Sequence, residues 1–205
     1  MVVIFVLACL GAFAWGYRAI WAVDPLSVPA VNDGWGLTVA AKPGRTLETA
    51  TFAAGCFWGV ESSFRKVPGV IRTRVGYTGG SARDPSYLVV ESQHSGHAEA
   101  IDIEFDPAQV SYQNLLGIFF NIHDPTAVNP SEYRSAIFYH TPRQRQFAEE
   151  KKHELDESGQ YAGAITTEII PAGTFYPAEQ YHQRYYESRG ADHVCRLGDG
   201  KKRKV

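Results

Sequence analysis

The sequence predicts an α+β domain: a two-layer sandwich in which a mixed β-sheet carries packed helices, on a ferredoxin-like plan. Three observations lead there. Strand-like and helix-like segments follow the order β-α-β, β-α-β, then helix, strand and helix. Residues 98–105 (AEAIDIEF) alternate between apolar and polar, the period of a half-buried strand. Residues 57–67 (FWGVESSFRKV) and 111–123 (SYQNLLGIFFNIH) place apolar side chains at helical spacing instead. No Gly-rich phosphate loop follows a strand, which disfavours a nucleotide enzyme.

In chain order, residues 48–54 (ETATFAA) read as a strand running into Gly55. Phe57, Val60, Phe64 and Val67 share one face of the next helix, which Pro68-Gly69 ends. Residues 70–78 (VIRTRVGYT) alternate and turn at Gly79-Gly80. On strand 98–105, Glu99 shares a face with Ile101, Ile103 and Phe105, while Ala100, Asp102 and Glu104 take the other. The amphipathic helix 111–123 stops at Asp124-Pro125. There follow a strand at 133–139, a charged helix at 143–158 that buries Phe147 and Leu155, a strand at 166–170 and a short helix at 178–188.

The ends carry the compositional extremes. Residues 1–17 hold no charge, and the first cation is Arg18. The segment 1–23 is expected to be a signal peptide or an uncleaved membrane anchor, so the protein is expected to be exported or anchored. Residues 24–45 hold Pro25, Pro29 and Pro43 with Gly34, Gly36 and Gly44 and read as a linker. The catalytic domain is expected to span 46–195. Residues 196–205 form a basic tail, five cations against one anion, read as a solvated terminus. The whole chain has a net charge of −2, which argues against a nucleic-acid partner.

Three cysteines, Cys9, Cys56 and Cys195, are too few for a disulfide framework or a two-knuckle zinc site. Cys9 lies in the apolar leader. Cys56, in Gly55-Cys56-Phe57-Trp58-Gly59, falls at a strand-to-helix junction, where helix N–H groups and the helix dipole favour a thiolate. Phe57 and Trp58 put aromatic surface beside the sulfur. The other reading is a buried cysteine acting as a small hydrophobe. The alternation of 98–105 sets Glu99 on the apolar face, where burial raises a carboxyl pKa and suits it to donate a proton. Tyr87 and Tyr133, in polar contexts, are candidate hydroxyl donors.

With GCFWGVE (55–61), VGYTGG (75–80), PSY (85–87), SGHAEA (95–100), FDP (105–107), HDPT (123–126), YRSAIF (133–138) and FYPAEQYHQ (175–183), the sequence resembles the methionine sulfoxide reductase A family, the peptide-methionine (S)-S-oxide reductases, from about Thr49 to Cys195. The resemblance implies that Cys56 is the nucleophile and that Phe57 and Trp58 wall the substrate S-methyl. It implies that Glu99 protonates the sulfoxide oxygen, that Tyr87 and Tyr133 hydrogen-bond it, and that Cys195 is the resolving cysteine. It further implies repair of oxidised peptides or proteins through a Cys56 sulfenic acid, without a bound cofactor or metal. Thioredoxin, or dithiothreitol in vitro, would be the reductant, and the enzyme would act as a monomer.

The sequence departs from the family pattern in four places. The loop 127–132 (AVNPSE) is short, which leaves the family's loop aspartate without an assigned counterpart. Position 91 is Glu where many relatives carry cysteine, the segment before Cys195 is SRGADHV, and no cysteine follows Cys195. Two other classes compete. A cysteine hydrolase would need a base from His94, His97, His123 or His182. A metal-binding module would draw on Glu91, His94, His97 and Glu99.

Overall fold

The computed structural model describes residues 46–191. The leader at 1–23 with Cys9, the linker at 24–45, Cys195 and the tail at 196–205 all lie outside the described residues.

Six strands form one sheet: β1 (Glu48–Ala54), β2 (Val70–Thr78), β3 (Ala98–Phe105), β4 (Ser135–Tyr139), β5 (Glu168–Pro171) and β6 (Tyr176–Pro177). Their order is β5-β4-β1-β3-β2-β6. The inner four, β4-β1-β3-β2, are antiparallel neighbours in the ferredoxin-like order, and β5 runs parallel to β4, so the sheet is mixed. The helices are α1 (Phe57–Phe64), α2 (Tyr87–Glu91), α3 (Tyr112–Ile122) and α4 (Pro142–Glu157). Among the described residues, no helix is long and apolar enough to cross a membrane.

The main core forms where α1, α3 and α4 cover one face of the sheet. Phe52, Ile101, Ile103, Phe105 and Ile137 meet Val60, Phe64, Leu115, Leu116, Phe119 and Ala148. Local chemistry fixes the helix starts. Ser111 and Asn114 form a reciprocal capping box on α3. Thr141 accepts the Gln144 N–H ahead of Pro142 on α4.

The structure corrects several local expectations. β3 is buried on both faces except at Glu104. Its second face and those of β1 and β4 carry Ala53, Ala98, Ala100 and Ala136, small enough for Ile170, Ala172 and Phe175 of the C-terminal segment to lie over them. Asp102, expected in water, is 5% exposed and is held by the Thr51 hydroxyl and Arg74. Phe147 is only partly buried, because Gln144, Ala148 and Leu155 form the inward stripe of α4. The strand expected at 133–139 starts at Ser135, after a 3-10 turn at Ser131–Tyr133. The helix expected at 178–188 is absent. Two 3-10 turns, Gln180–His182 and Glu187–Arg189, take its place, with Arg184 between them at φ +50°. α2 and β6 were not foreseen; both are short and follow turn-rich sequence.

Candidate active site

β1 delivers the site. At its end Gly55 takes φ +87°, a backbone state that a side chain disfavours, and turns the chain so that Cys56 occupies the N-cap of α1. The thiol is exposed, at the positive end of the helix. The first helical N–H, that of Phe57, is satisfied from the neighbouring strand: Glu99 Oε2 accepts it at 3.0 Å. Register explains the meeting. The β1–β3 ladder ends at Phe52↔Ile101, so Glu99 lies two residues past it, opposite Tyr77 of β2 and level with the turn into α1. A single peptide therefore separates the sulfur-bearing residue from the amide that holds the carboxyl.

Glu99 is 4% exposed, as the alternation predicts. Burial is the main force pushing its pKa up to about 7; the Phe57 N–H pulls it down, and the charges of Glu132 and Glu91 push it further up. The carboxyl can thus hold a proton near neutrality and release it to a ligand. Burial, followed by the charge of Glu99, pushes the Tyr133 hydroxyl up to about 12. Burial, then Glu91 and Glu99, raises that of Tyr87. The charge of Cys56 contributes to both shifts. The structure thus gathers Cys56, Glu99, Tyr87 and Tyr133 within electrostatic reach of one another, and both phenols stay protonated donors.

The two aromatic residues after the cysteine have different fates. The Phe57 ring is 1% exposed and packs against Tyr77 and His182, so what reaches the site is chiefly its N–H. Trp58 is partly buried and lies flat on Tyr185, with centroids 3.6 Å apart and planes 5° apart. Its indole N–H donates to His182 Nδ1 at 3.0 Å. Because an indole can only donate, His182 Nδ1 is the acceptor.

Sequence reasoning gave the 176–189 segment no such part, although FYPAEQYHQ runs through it. Its residues are fastened by side-chain bonds to the sheet and to α1. Glu179 accepts the Tyr77 hydroxyl at 2.9 Å and the Tyr87 N–H at 2.9 Å, fixing the start of α2. Gln183 bonds both the N–H (3.0 Å) and the C=O (2.9 Å) of Val75. Glu61, 1% exposed on α1, accepts the Arg184 N–H at 2.7 Å and the Thr73 hydroxyl at 3.0 Å. Only their contacts reveal these roles.

The competing classes find less. His94 is exposed, and His97 is buried against Tyr176. The His123 ring is bound between the Phe119 carbonyl and Ser135, and His182 is engaged with Trp58. Among the described residues, no three His, Cys, Asp or Glu side chains are grouped to hold a metal ion.

An exposed thiol at a helix N-terminus beside a carboxyl that holds a proton near neutrality suits the class of thiol-dependent oxidoreductases. Residues 48–205 match the family model described as peptide methionine sulfoxide reductase. The chain is 51% identical over 155 residues to a peptide methionine sulfoxide reductase MsrA of Methanosarcina acetivorans, covering 73% of this chain and 82% of that one. Its fold matches Mxr1 from Saccharomyces cerevisiae in reduced form, with a TM-score of 0.68 at 29% identity, over 78% of this chain and 94% of that one. It also matches Mxr1 in complex with Trx2, with a TM-score of 0.51 at 27% identity, over 72% and 89% of the two chains. The chain belongs to the peptide methionine sulfoxide reductase family and is an enzyme that reduces methionine sulfoxide with a thiol.

Proposed function

We propose that the protein reduces methionine-S-sulfoxide in peptides and proteins, with Cys56 as nucleophile and Glu99 as proton donor. The observation that carries the assignment is the hydrogen bond from Phe57 N–H to Glu99 Oε2, which ties the acid to the first peptide after the thiol. A sulfoxide sulfur becomes electrophilic when its oxygen is protonated. Glu99 gives that oxygen its proton while Tyr87 and Tyr133 donate hydrogen bonds to it. The Cys56 thiolate attacks the protonated sulfoxide at sulfur, forming an S–S bond; the hydroxyl then passes to the Cys56 sulfur as the S–O and S–S bonds break. The products are methionine and Cys56 sulfenic acid. Trp58, backed by Tyr185, offers the apolar face for the S-methyl. Cys195 then condenses with the sulfenic acid, losing water and forming a Cys56–Cys195 disulfide. A dithiol of the thioredoxin class reduces that disulfide by exchange and is itself oxidised. The yeast relative in complex with Trx2 supports that choice of reductant. The apolar segment 1–23, with Arg18 as its one charge, supports export or membrane anchoring of the enzyme.

The test is a thioredoxin-coupled assay on the separated S and R diastereomers of a blocked methionine sulfoxide. Turnover is expected for S alone and none for Cys56→Ser. Turnover of R, or by the serine variant, would overturn the assignment.

A further inference from the structure

We propose that Glu132 is a positioning residue for the proton donor: a second buried carboxylate, beside Glu99, that keeps the proton on Glu99 until the sulfoxide takes it. This rests on the reading of Glu99 as the acid.

Glu132 sits in the 3-10 turn Ser131–Tyr133, which packs on β3. It is 5% exposed. Its Oε1 accepts the Gln93 side-chain amide at 3.0 Å, and its Oε2 is buried without a hydrogen-bond partner. Gln93 reaches it from the end of α2, where the backbone turns through φ +63°. Glu132 therefore bridges the two pieces of chain that present Tyr87 and Tyr133. Its charge acts on both Glu99 and Tyr133.

The other charged and titratable groups around Glu99 do not offer the same effect. At the start of α1, the Phe57 N–H, one peptide after Cys56, is bonded to it. From β2, Tyr77 gives its hydroxyl to Glu179. Tyr87 and Glu91 face it from α2, and Glu91 is exposed, so water screens its charge. His97, two residues away on β3, is buried, which favours its neutral form. Arg134 is turned to the carbonyls of Ser131 (2.8 Å), Gly96 (3.1 Å) and Gly79 (3.3 Å), and its Nε lies 3.4 Å from Glu168.

Two carboxylates in one poorly hydrated site do not both ionise readily. Gln93 holds Glu132 in place with an amide donor, and a carboxylate held there opposes loss of the proton from Glu99. Once Glu99 has given up its proton, repulsion from Glu132 favours its recovery from solvent before the next turnover.

The experiment is the pH dependence of methionine formation in a single turnover, for wild type, Glu132→Gln, Gln93→Leu and Glu99→Gln. Glutamine at 132 keeps shape and a Gln93 contact but removes the charge. Wild type is expected to lose rate as pH rises through about 7. Glu132→Gln should lose it roughly one pH unit lower, so that the two agree on the acid side and differ up to about tenfold above neutrality. Gln93→Leu, which takes away the donor that holds the Glu132 carboxylate in place, should shift the fall the same way. A fall at unchanged pH, or a uniform loss of rate at every pH, would overturn the proposal. Wild-type rates in Glu99→Gln would instead overturn the assignment of the acid itself.

Discussion

Glu99 shows how one residue's chemistry follows from its place in a strand. Position two beyond the β1–β3 ladder gives it a helix N–H to bind, and the apolar face of β3 removes water from its carboxyl. Replacing it by Gln keeps the shape and the Phe57 contact but removes the proton. The single-turnover rate should fall by about 10²–10⁴, measured as methionine released per enzyme after mixing with substrate in a quench experiment. Cys195→Ser should leave that first turnover intact and abolish thioredoxin-driven recycling; full recycling would make Cys195 a bystander. The burial of Glu99 was legible in the sequence because it sits in a periodic segment, and the junction position of Cys56 because a strand and a helix flank it, while the roles of both come from the family resemblance. Glu132 was not legible: the loop AVNPSE has no period, and a lone Glu there shows no sign of burial until Gln93 folds over it.

At the scale of elements, regular structure was legible and irregular structure was not. β1, β2 and β3 fall on the residues the alternation marks out, since a strand's period is written along its own length. The segment 178–188 has polar and apolar residues at a helix-like spacing, yet its backbone bends around contacts elsewhere: Glu179 to Tyr77, Gln183 to Val75 and Glu61 to Arg184. No local rule anticipates side chains recruited from β2 and α1. Glu61→Ala should therefore do more than remove a charge. It takes the Glu61 acceptor from the partly buried Arg184 N–H and the buried Thr73 hydroxyl, a loss of about 1–3 kcal/mol for each group left unsatisfied. It should also raise KM more than it lowers kcat, since Tyr185 behind Trp58 loses its anchor; denaturant unfolding and steady-state kinetics check the two effects. Gly76→Ala tests the same edge from the strand side. A Cβ there would lie 2.3 Å from the Tyr176 carbonyl oxygen, so β6 must move off β2 and the thermal midpoint should drop.

Across the whole molecule, the proton on Glu99 links activity to stability. Its folded pKa of about 7 lies above the ordinary 4.5, so between those values the native state binds more protons than the unfolded chain. This contribution to stability is fully present below about pH 4.5 and is lost as pH rises toward 7. Glu99→Gln should thus unfold with wild-type stability at pH 4 but be more stable at pH 8, by about 3 kcal/mol. Buried His123, pushed down to about 4, opposes this slope: its contribution to stability is lost as pH falls from 6.5 toward 4. Removing Glu99 should therefore leave a steeper rise of melting temperature between pH 4 and 7, visible by calorimetry. The ferredoxin-like plan was legible from element order, whereas the closure of the sheet's second face by an irregular segment was not, because alanines on a strand do not say what will lie over them. That segment has one more consequence, in optics. Trp58 is the one tryptophan after residue 35, and its indole lies flat on Tyr185 with its N–H on His182. Once Trp15, Trp21 and Trp35 are replaced by Phe, the enzyme's tryptophan emission comes from Trp58 alone, two residues from Cys56, and turnover is expected to register as a change in light.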